Sequence, residues 1–155
     1  MNIRRYRQGE EDVLWQLLYN TVHHVNIQDY SSEQLNAWAP DDWDMEQWKE
    51  RLLGSRPFVV EAEDQVVGFA ELESSGHIDC FFCDQHWLGK GVGSLLLSAI
   101  ETEAKNQELT YIFTEASITA KEFFKKKGFS IGHEKIVMLR GVQFPYYGAI
   151  KQISS

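Results

Sequence analysis

LGKGVGS, residues 88–94, places three glycines at every second position directly before the apolar helical stretch LLLSAIETEA. Such glycines favour a close approach of the backbone to another group, because a side chain would block that approach. The P-loop spacing GxxxxGK[ST] is absent, and GxGxxG fails in both registers, at Ser94 or at Leu96. Two interpretations stay open: a pyrophosphate-binding turn at a helix N-terminus, or a tight turn that serves helix packing.

Composition predicts one soluble domain over residues 1–155. Hydrophobic residues make up 43% and aromatic residues 13% of the chain, which is enough for one core. The net charge of −8, from 15 basic and 23 acidic residues, disfavours a nucleic acid or an anionic membrane as partner. The sequence shows neither a signal-peptide pattern nor a run of about 20 apolar residues, so a cytoplasmic protein is expected.

The two cysteines, Cys80 and Cys83, form a CxxC pattern inside a predicted strand. Residues an odd number apart in a strand point to opposite faces, so the two thiols do not converge. No second CxxC completes a zinc site. Reduced, structural cysteines and no bound metal are therefore the expectation.

Hydrophobic periodicity predicts a mixed α/β (α+β) chain. Helices are predicted where apolar residues recur every three to four positions, and strands where they alternate or form short runs. The order of elements predicts a mixed, mostly antiparallel sheet of about seven strands with helices on both faces. The predicted helices are 10–25, 31–38, 44–53, the segment after the glycines and 118–127; the predicted strands are 2–7, 58–61, 66–72, 78–83, 109–114, 131–140 and 142–150.

A second motif, SITAKEFFKKKGF at residues 117–129, follows the next predicted strand. Together with FFCDQHWLGKGVGSLLL at 81–97, it resembles the GCN5-related N-acetyltransferase (GNAT) family. The coenzyme loop of that family follows [R/Q]-x-x-G-x-G/A, and its later helix follows N-x-x-A-x-x-F-Y-E-K-x-G-F. The segments ASITAKEFF and YSSEQLNAW are similar to the YafP-type bacterial branch. The positions in register with the helix pattern are Ser117, Ala120, Phe123, Gly128 and Phe129.

The resemblance implies a single N-acetyltransferase domain that uses acetyl-CoA as acetyl donor and needs no metal. It also implies a splay between the fourth and fifth strands of the sheet. Backbone amides of the glycine loop would bind the pyrophosphate, and the end of the fourth strand would pair with the pantetheine arm. The implied coenzyme-binding residues are Phe82, Cys83, Leu88, Gly89, Lys90, Gly91, Val92, Gly93, Ser94, Ser117, Phe123 and Phe124.

Three positions depart from the family pattern. Leu88 replaces the Arg or Gln that begins the loop, and Ser117 replaces the helix Asn. Phe124 replaces a tyrosine that in many relatives protonates the departing CoA thiolate, and phenylalanine has no proton to give. A non-catalytic acyl-CoA-binding module therefore remains the alternative to an enzyme.

The chemistry implied by the resemblance is attack of an amine on a thioester, which needs an unprotonated amine and often a base. Glu71 and Asp79, on the central predicted strands, are the best candidates for that base. The alternative is that both are exposed carboxylates on a strand face, which are common.

The segment between the first helix and the second strand shapes the acceptor pocket in the family. Tyr30 and Trp38 lie in it and could contact the acceptor, or could pin short helices to the core. The segment is also strongly acidic, which predicts a cationic amine on a small molecule or a peptide. We expect a monomer or a homodimer. The acidic residues are Asp29, Glu33, Asp41, Asp42, Asp44, Glu46 and Glu50.

Overall fold

Strands and helices follow one another along most of the chain. The computed structural model describes residues 1–153 and, at Ile27, the backbone alone. Short 3-10 helices occupy Asn26–Gln28 and Gln85–Trp87. The main elements are β1 (Asn2–Arg5), α1 (Glu11–His24), α2 (Ser32–Trp38), α3 (Met45–Ser55), β2 (Phe58–Ala62), β3 (Gln65–Leu72), β4 (Ile78–Cys83), α4 (Val92–Asn106), β5 (Tyr111–Ala116), α5 (Lys121–Lys126), β6 (Ser130–Leu139) and β7 (Val142–Gln152).

The strands form two antiparallel sheets, in the order β1-β2-β3-β4 and β5-β7-β6. The sheets meet where parallel β4 and β5 begin, through a bridge between His77 and Phe113. Beside it, the Thr114 hydroxyl donates to the Ile78 carbonyl at 2.8 Å. Among the described residues no ladder joins the two strands beyond this point. The predicted fold class and the splay between the fourth and fifth strands are confirmed, although the strands divide into four and three.

A β-bulge interrupts the pairing of β3 with β4. Ala70 lies opposite Phe81 and Leu72 opposite Ile78, so Glu71 alone faces the two residues Asp79 and Cys80. Consecutive strand residues normally point to opposite faces, but a bulge turns both toward the same side. The consequence is that Glu71, Asp79 and Cys80 come together on one face of the sheet.

Helices cover both faces of the sheet, as predicted. On one face α1, α2 and α3 enclose a core that includes Leu14, Trp48 and Phe69. On the other face α4 and α5 contribute to a second core, which includes Leu96 and Phe124. Cys80 belongs to the first core and Cys83 packs against the second, so the predicted divergence of the two thiols is confirmed.

The start of α4 rests directly on β3. A Cβ at Gly68 would lie 2.5 Å from Val92 Cγ1, so only glycine allows this approach. The N-terminus of α4 and the glycine loop before it are thereby fixed next to the end of β4.

Several predicted boundaries differ from the structure by one to three residues, and two of these differences have a clear local cause. The helix predicted at 118–127 begins only at Lys121, because Ser117 holds a turn: its hydroxyl accepts a hydrogen bond from the Ala120 amide at 3.1 Å. The first strand ends at Arg5 instead of residue 7, since the Arg7 amide donates to Glu10 at 2.8 Å. Within residues 1–153, none of the helices has the length and apolar character needed to cross a bilayer.

Candidate active site

A cleft of about 630 Å³ opens where β4 and β5 separate. This volume lies in the range of small-molecule and cofactor sites. Its walls come from the last residues of both strands, the glycine loop, the start of α4 and the region around α5. The end of α1, through Thr21, and the end of α2, through Trp38, complete the lining. Elements that are distant in sequence therefore converge on one cavity.

The glycine loop presents unpaired backbone donors at one end of the cleft. Gly91 is the N-cap of α4, with φ +90° and no side-chain cap. The first intrahelical bond runs from the Leu95 amide to the Gly91 carbonyl at 3.0 Å, so the amides at 92–94 have no acceptor within the helix. Free N–H groups and the helix dipole together favour an anion such as a phosphate.

Glycine is required at the three positions for different structural reasons. Gly89 and Gly91 have φ of +73° and +90°, and no atom of the described residues would lie within 4 Å of a Cβ at Gly89. Gly93 instead allows helix packing, because its Cβ would lie 3.0 Å from the ring of Phe123 on α5. The packing interpretation of the sequence therefore applies to Gly93, whereas the backbone conformation requires glycine at positions 89 and 91. The pyrophosphate-binding turn stays a prediction.

Of the predicted coenzyme-binding residues, all but Lys90 line the cleft. The Lys90 ammonium lies 4.9 Å from the centroid of the Trp87 ring, on the exposed side of the loop. Phe124 reaches the cleft wall but is only 2% exposed. Cys83 is half-buried, and desolvation raises the pKa of its thiol to about 12, so the thiol is neutral at physiological pH.

The two candidate bases lie in different surroundings. Asp79 lines the cleft, whereas Glu71 does not and is 2% exposed, so the exposed-carboxylate interpretation of Glu71 is wrong. Glu71 Oε2 accepts a hydrogen bond from the Ser55 hydroxyl at 2.6 Å, and its Oε1 lies 2.6 Å from Arg51 Nη2. Arg51 Nη2 also lies 2.7 Å from Asp79 Oδ2. Burial raises the pKa of Asp79, and the proximity of Glu71 adds to this although Arg51 opposes it.

A second carboxylate, Glu115 on β5, lines the cleft opposite β4. Its Oε1 lies 2.7 Å from His77 Nε2, while His77 Nδ1 is bonded to Glu73. Burial alone would lower the pKa of His77, but the hydrogen bonds to the two carboxylates outweigh it and the pKa is raised. His77 therefore ties the turn after β3 to β5 where the two sheets meet.

One of the two predicted acceptor residues lines the cleft and the other does not. Trp38 lines the cleft, whereas Tyr30 is buried behind it, with its ring centroid 5.6 Å from that of Trp38. The Tyr30 hydroxyl accepts a hydrogen bond from the Ile118 amide at 2.8 Å, which holds the turn before α5. All seven acidic residues between positions 29 and 50 are exposed, and none lines the cleft.

Sequence reasoning missed three residues of this site. Thr21 donates a hydrogen bond from its hydroxyl to the Cys83 carbonyl at 3.0 Å, which fixes the end of β4 to α1. Arg51 places a positive charge next to Asp79, and Glu115 places a negative charge across the cleft from it. A signal existed for Arg51, because helical spacing places it beside Trp48 and Leu52, whose apolar side chains face the sheet.

Comparison with known proteins identifies the family. The family model described as the acetyltransferase (GNAT) domain matches residues 26–144. The chain belongs to the GNAT family. The resemblance in the two sequence motifs is thereby confirmed, and the chain is an acetyltransferase by family.

Two relatives match over nearly the whole chain. The Escherichia coli K12 protein named "Uncharacterized N-acetyltransferase YafP" is 36% identical over 145 residues, 93% of this chain and 91% of the relative. The Salmonella typhimurium LT2 protein named "Peptidyl-lysine N-acetyltransferase YjaB" is 28% identical over 155 residues, 97% of each chain. The similarity to the YafP branch is confirmed, and both relatives carry the name of N-acetyltransferases.

Solved structures have the same fold. A GCN5-related N-acetyltransferase from Rhodopseudomonas palustris matches with a TM-score of 0.93 and 27% identity, over 97% of this chain and 94% of that one. YncA, a putative acetyltransferase from Salmonella typhimurium solved with its cofactor acetyl-CoA, matches with a TM-score of 0.74 and 17% identity, over 100% and 95%. One structural neighbour, YncA, therefore binds acetyl-CoA.

Proposed function

We propose that the protein transfers the acetyl group of acetyl-CoA to a primary amine on a cationic small molecule or a peptide. The observation that carries this proposal is the cleft between β4 and β5, which combines free amides at 92–94 with the carboxylate of Asp79. Acetyl-CoA supplies an activated thioester. The amine nitrogen forms a bond to the thioester carbonyl carbon, the carbon–sulfur bond breaks, and the amine loses a proton.

The chain offers a fitting place for each part of the coenzyme. The amides at 92–94 suit the pyrophosphate, and the open space beside Gly89 leaves room for it. Past the bridge at His77, no described strand forms a ladder with the edge of β4 that faces β5, so an extended pantetheine arm can pair with it. Lys126 and Lys127 line the cleft, and their positive charges can neutralise further phosphate charge.

Asp79 is the residue we assign as general base. Its carboxylate lines the cleft and its side chain keeps 42% exposure, so it can receive the amine proton directly or through water. Its raised pKa makes it a better proton acceptor than an ordinary aspartate. Glu71 is not proposed for this step, because both of its oxygens are bonded and neither reaches the cleft.

The proton for the departing thiolate has no protein donor at position 124. Phe124 stands there, and neither Tyr111 nor Tyr147 lines the cleft. We infer that solvent entering the open cleft protonates the thiolate. The competing proposal, a non-catalytic acyl-CoA-binding module, is supported only by this missing hydroxyl.

Charges in the cleft favour a cationic acceptor. Asp79 lines it from β4 and Glu115 from β5. Among the described residues, one oxygen of Asp79 is bonded to Arg51 and one oxygen of Glu115 to His77, and the second oxygen of each has no partner. Trp38 adds an aromatic face, against which an alkylammonium can pack. A relative named as a peptidyl-lysine acetyltransferase supports the same class of amine. The exposed acidic segment adds a longer-range negative field.

Release of free CoA thiol tests the proposal. Wild-type protein is incubated with acetyl-CoA and either spermidine, an N-terminally blocked lysine peptide or glutamate. We expect turnover with one of the cationic amines, none with glutamate, and a fall in kcat of about 10²–10⁴-fold in Asp79→Asn. The matched control, Asp42→Asn, removes an exposed carboxylate outside the cleft and should leave kcat unchanged. Binding of acetyl-CoA without any turnover would favour the binding module instead.

A further inference from the structure

Arg51 connects a buried carboxylate with one that faces the cleft. Its Nη2 lies 2.6 Å from Glu71 Oε1 and 2.7 Å from Asp79 Oδ2, so one nitrogen serves both acids. The Glu71 side chain is 2% exposed and the Asp79 side chain 42%. We call these three residues the Arg51 bridge.

The bridge depends on two features of the fold. The bulge in β4 turns Asp79 toward the same face as Glu71, which a regular strand would not do. Helix α3 buries Trp48 and Leu52 against the sheet, which brings Arg51 between them over the bulge. One turn later on the same helix, Ser55 donates to Glu71 at 2.6 Å.

Glu71 is held from several sides. Its Oε1 is bonded to Arg51 Nη2, and its Oε2 receives both Arg51 Nε at 3.3 Å and the Ser55 hydroxyl. Two nitrogens of the planar guanidinium are therefore engaged by one carboxylate, which fixes its plane. A buried ion pair contributes little net stability in general, so the placement of the guanidinium is the more informative feature.

We propose that Arg51 is a positioning residue, which Glu71 anchors and which holds the Asp79 carboxylate in place at the cleft wall. Glu71 then acts through Arg51 and does not touch the substrates. One oxygen of Asp79 is fixed by Arg51, and the other remains for the incoming amine. This inference rests on the proposed role of Asp79 in acetyl transfer.

The proposal predicts that removing the charge of Glu71 and removing the charge of Arg51 shift the pKa of Asp79 in opposite directions. In Glu71→Gln the Arg51 charge loses its nearest counterion, so the pKa of Asp79 should fall by about one unit. In Arg51→Gln the buried Glu71 charge faces Asp79 alone, so the pKa of Asp79 should rise by about one unit. The other titratable groups near Asp79 are unchanged in both variants. They are Cys80, whose Sγ lies 3.2 Å from Arg51 Nη2, Glu73 after β3, His77 just before β4 and, bonded to His77, Glu115 on β5.

Carbon-13 NMR titration of aspartate carboxyl groups measures this directly in the ligand-free protein, with Asp79→Asn assigning the signal. The double variant Arg51→Gln/Glu71→Gln avoids a lone buried charge and keeps the test open if Arg51→Gln does not fold. Arg4→Gln is the matched control, since Arg4 pairs with Glu10 and Glu61 away from the cleft. It should leave the Asp79 titration unchanged.

Kinetics then separates positioning from proton affinity. With whichever of spermidine and the lysine peptide wild-type protein acetylates, the double variant should lose at least tenfold in kcat while KM for acetyl-CoA changes less than twofold. Wild-type kcat in the folded double variant, or shifts of the same sign in the two single variants, would overturn the proposal. If Asp79→Asn itself keeps wild-type kcat, the proposed role of Asp79 fails instead. The two failures are therefore distinguishable.

Discussion

Replacing Gly91 with alanine should separate anion binding by the glycine loop from its backbone strain. Gly91 has φ +90°, where a Cβ costs about 1–2 kcal/mol. The nearest atom to that Cβ would be Met1 Cε at 3.7 Å, so no internal clash adds to the cost. Gly141, in the turn between β6 and β7, has φ +77°, and within the described part of the chain no atom would lie within 4 Å of a Cβ added there. Gly141→Ala therefore introduces a similar strain outside the cleft.

Both variants should lose about 1–2 kcal/mol of unfolding free energy, or about 2–8 °C in Tm. Only Gly91→Ala should displace the amides at 92–94, and its Kd for acetyl-CoA should rise at least tenfold, about 1.4 kcal/mol. Isothermal titration calorimetry gives the Kd and a thermal melt confirms folding. A folded Gly91→Ala protein with wild-type Kd would refute the coenzyme-loop assignment, and an equal loss in Gly141→Ala would attribute the effect to general destabilisation.

Three further perturbations test other parts of the site. Phe124→Tyr should leave kcat within about threefold, since solvent is the proposed acid, and a large rate gain would indicate a missing acid. Phe124→Ala should lower the unfolding free energy, measured in urea, by about 3–5 kcal/mol, because the ring is 2% exposed. Because the pKa of His77 is raised, its pairing with Glu73 and Glu115 stabilises the fold at low pH, and this stability is lost as pH rises through that pKa. Urea unfolding of His77→Gln should lack this loss of stability, and a pH dependence equal to that of wild type would contradict the prediction. For a cationic acceptor, kcat/KM should fall as salt rises, whereas a salt-independent rate would mean that the acidic groups are only a solvated surface.

The sequence patterns predict most of the secondary structure, and the residues of the two motifs line the cleft between β4 and β5. The glycine loop and the 117–129 motif are local, so their residue types indicate a turn and a short helix, although the helix begins three residues later than predicted. The order of elements predicts the helices on both faces. The splay between β4 and β5 came from the resemblance, because local patterns do not report which strands separate.

The catalytic environment could not be predicted in the same way. The sequence does not distinguish Glu71 from Asp79, since both are carboxylates on neighbouring predicted strands. The bulge and the approach of α3 bury Glu71 and leave Asp79 accessible. The acidic segment is predicted to lie at the acceptor site. Of its predicted acceptor residues Trp38 lines the cleft and Tyr30 does not, and none of its seven acidic residues lines the cleft. These outcomes depend on how α2 and α3 pack on the sheet, which no local pattern determines.

Binding of acetyl-CoA to the cleft between β4 and β5 can be observed residue by residue in a proton–nitrogen-15 NMR titration. Backbone amides at 89–94 should show the largest shift changes, because the pyrophosphate is expected to bind to them, followed by Phe82 and Cys83 on β4 and Ser117 after β5. Amides near Gly141, which does not line the cleft, should not move. Shift changes concentrated on another surface, or none at millimolar acetyl-CoA, would contradict the placement of the acetyl donor in this cleft.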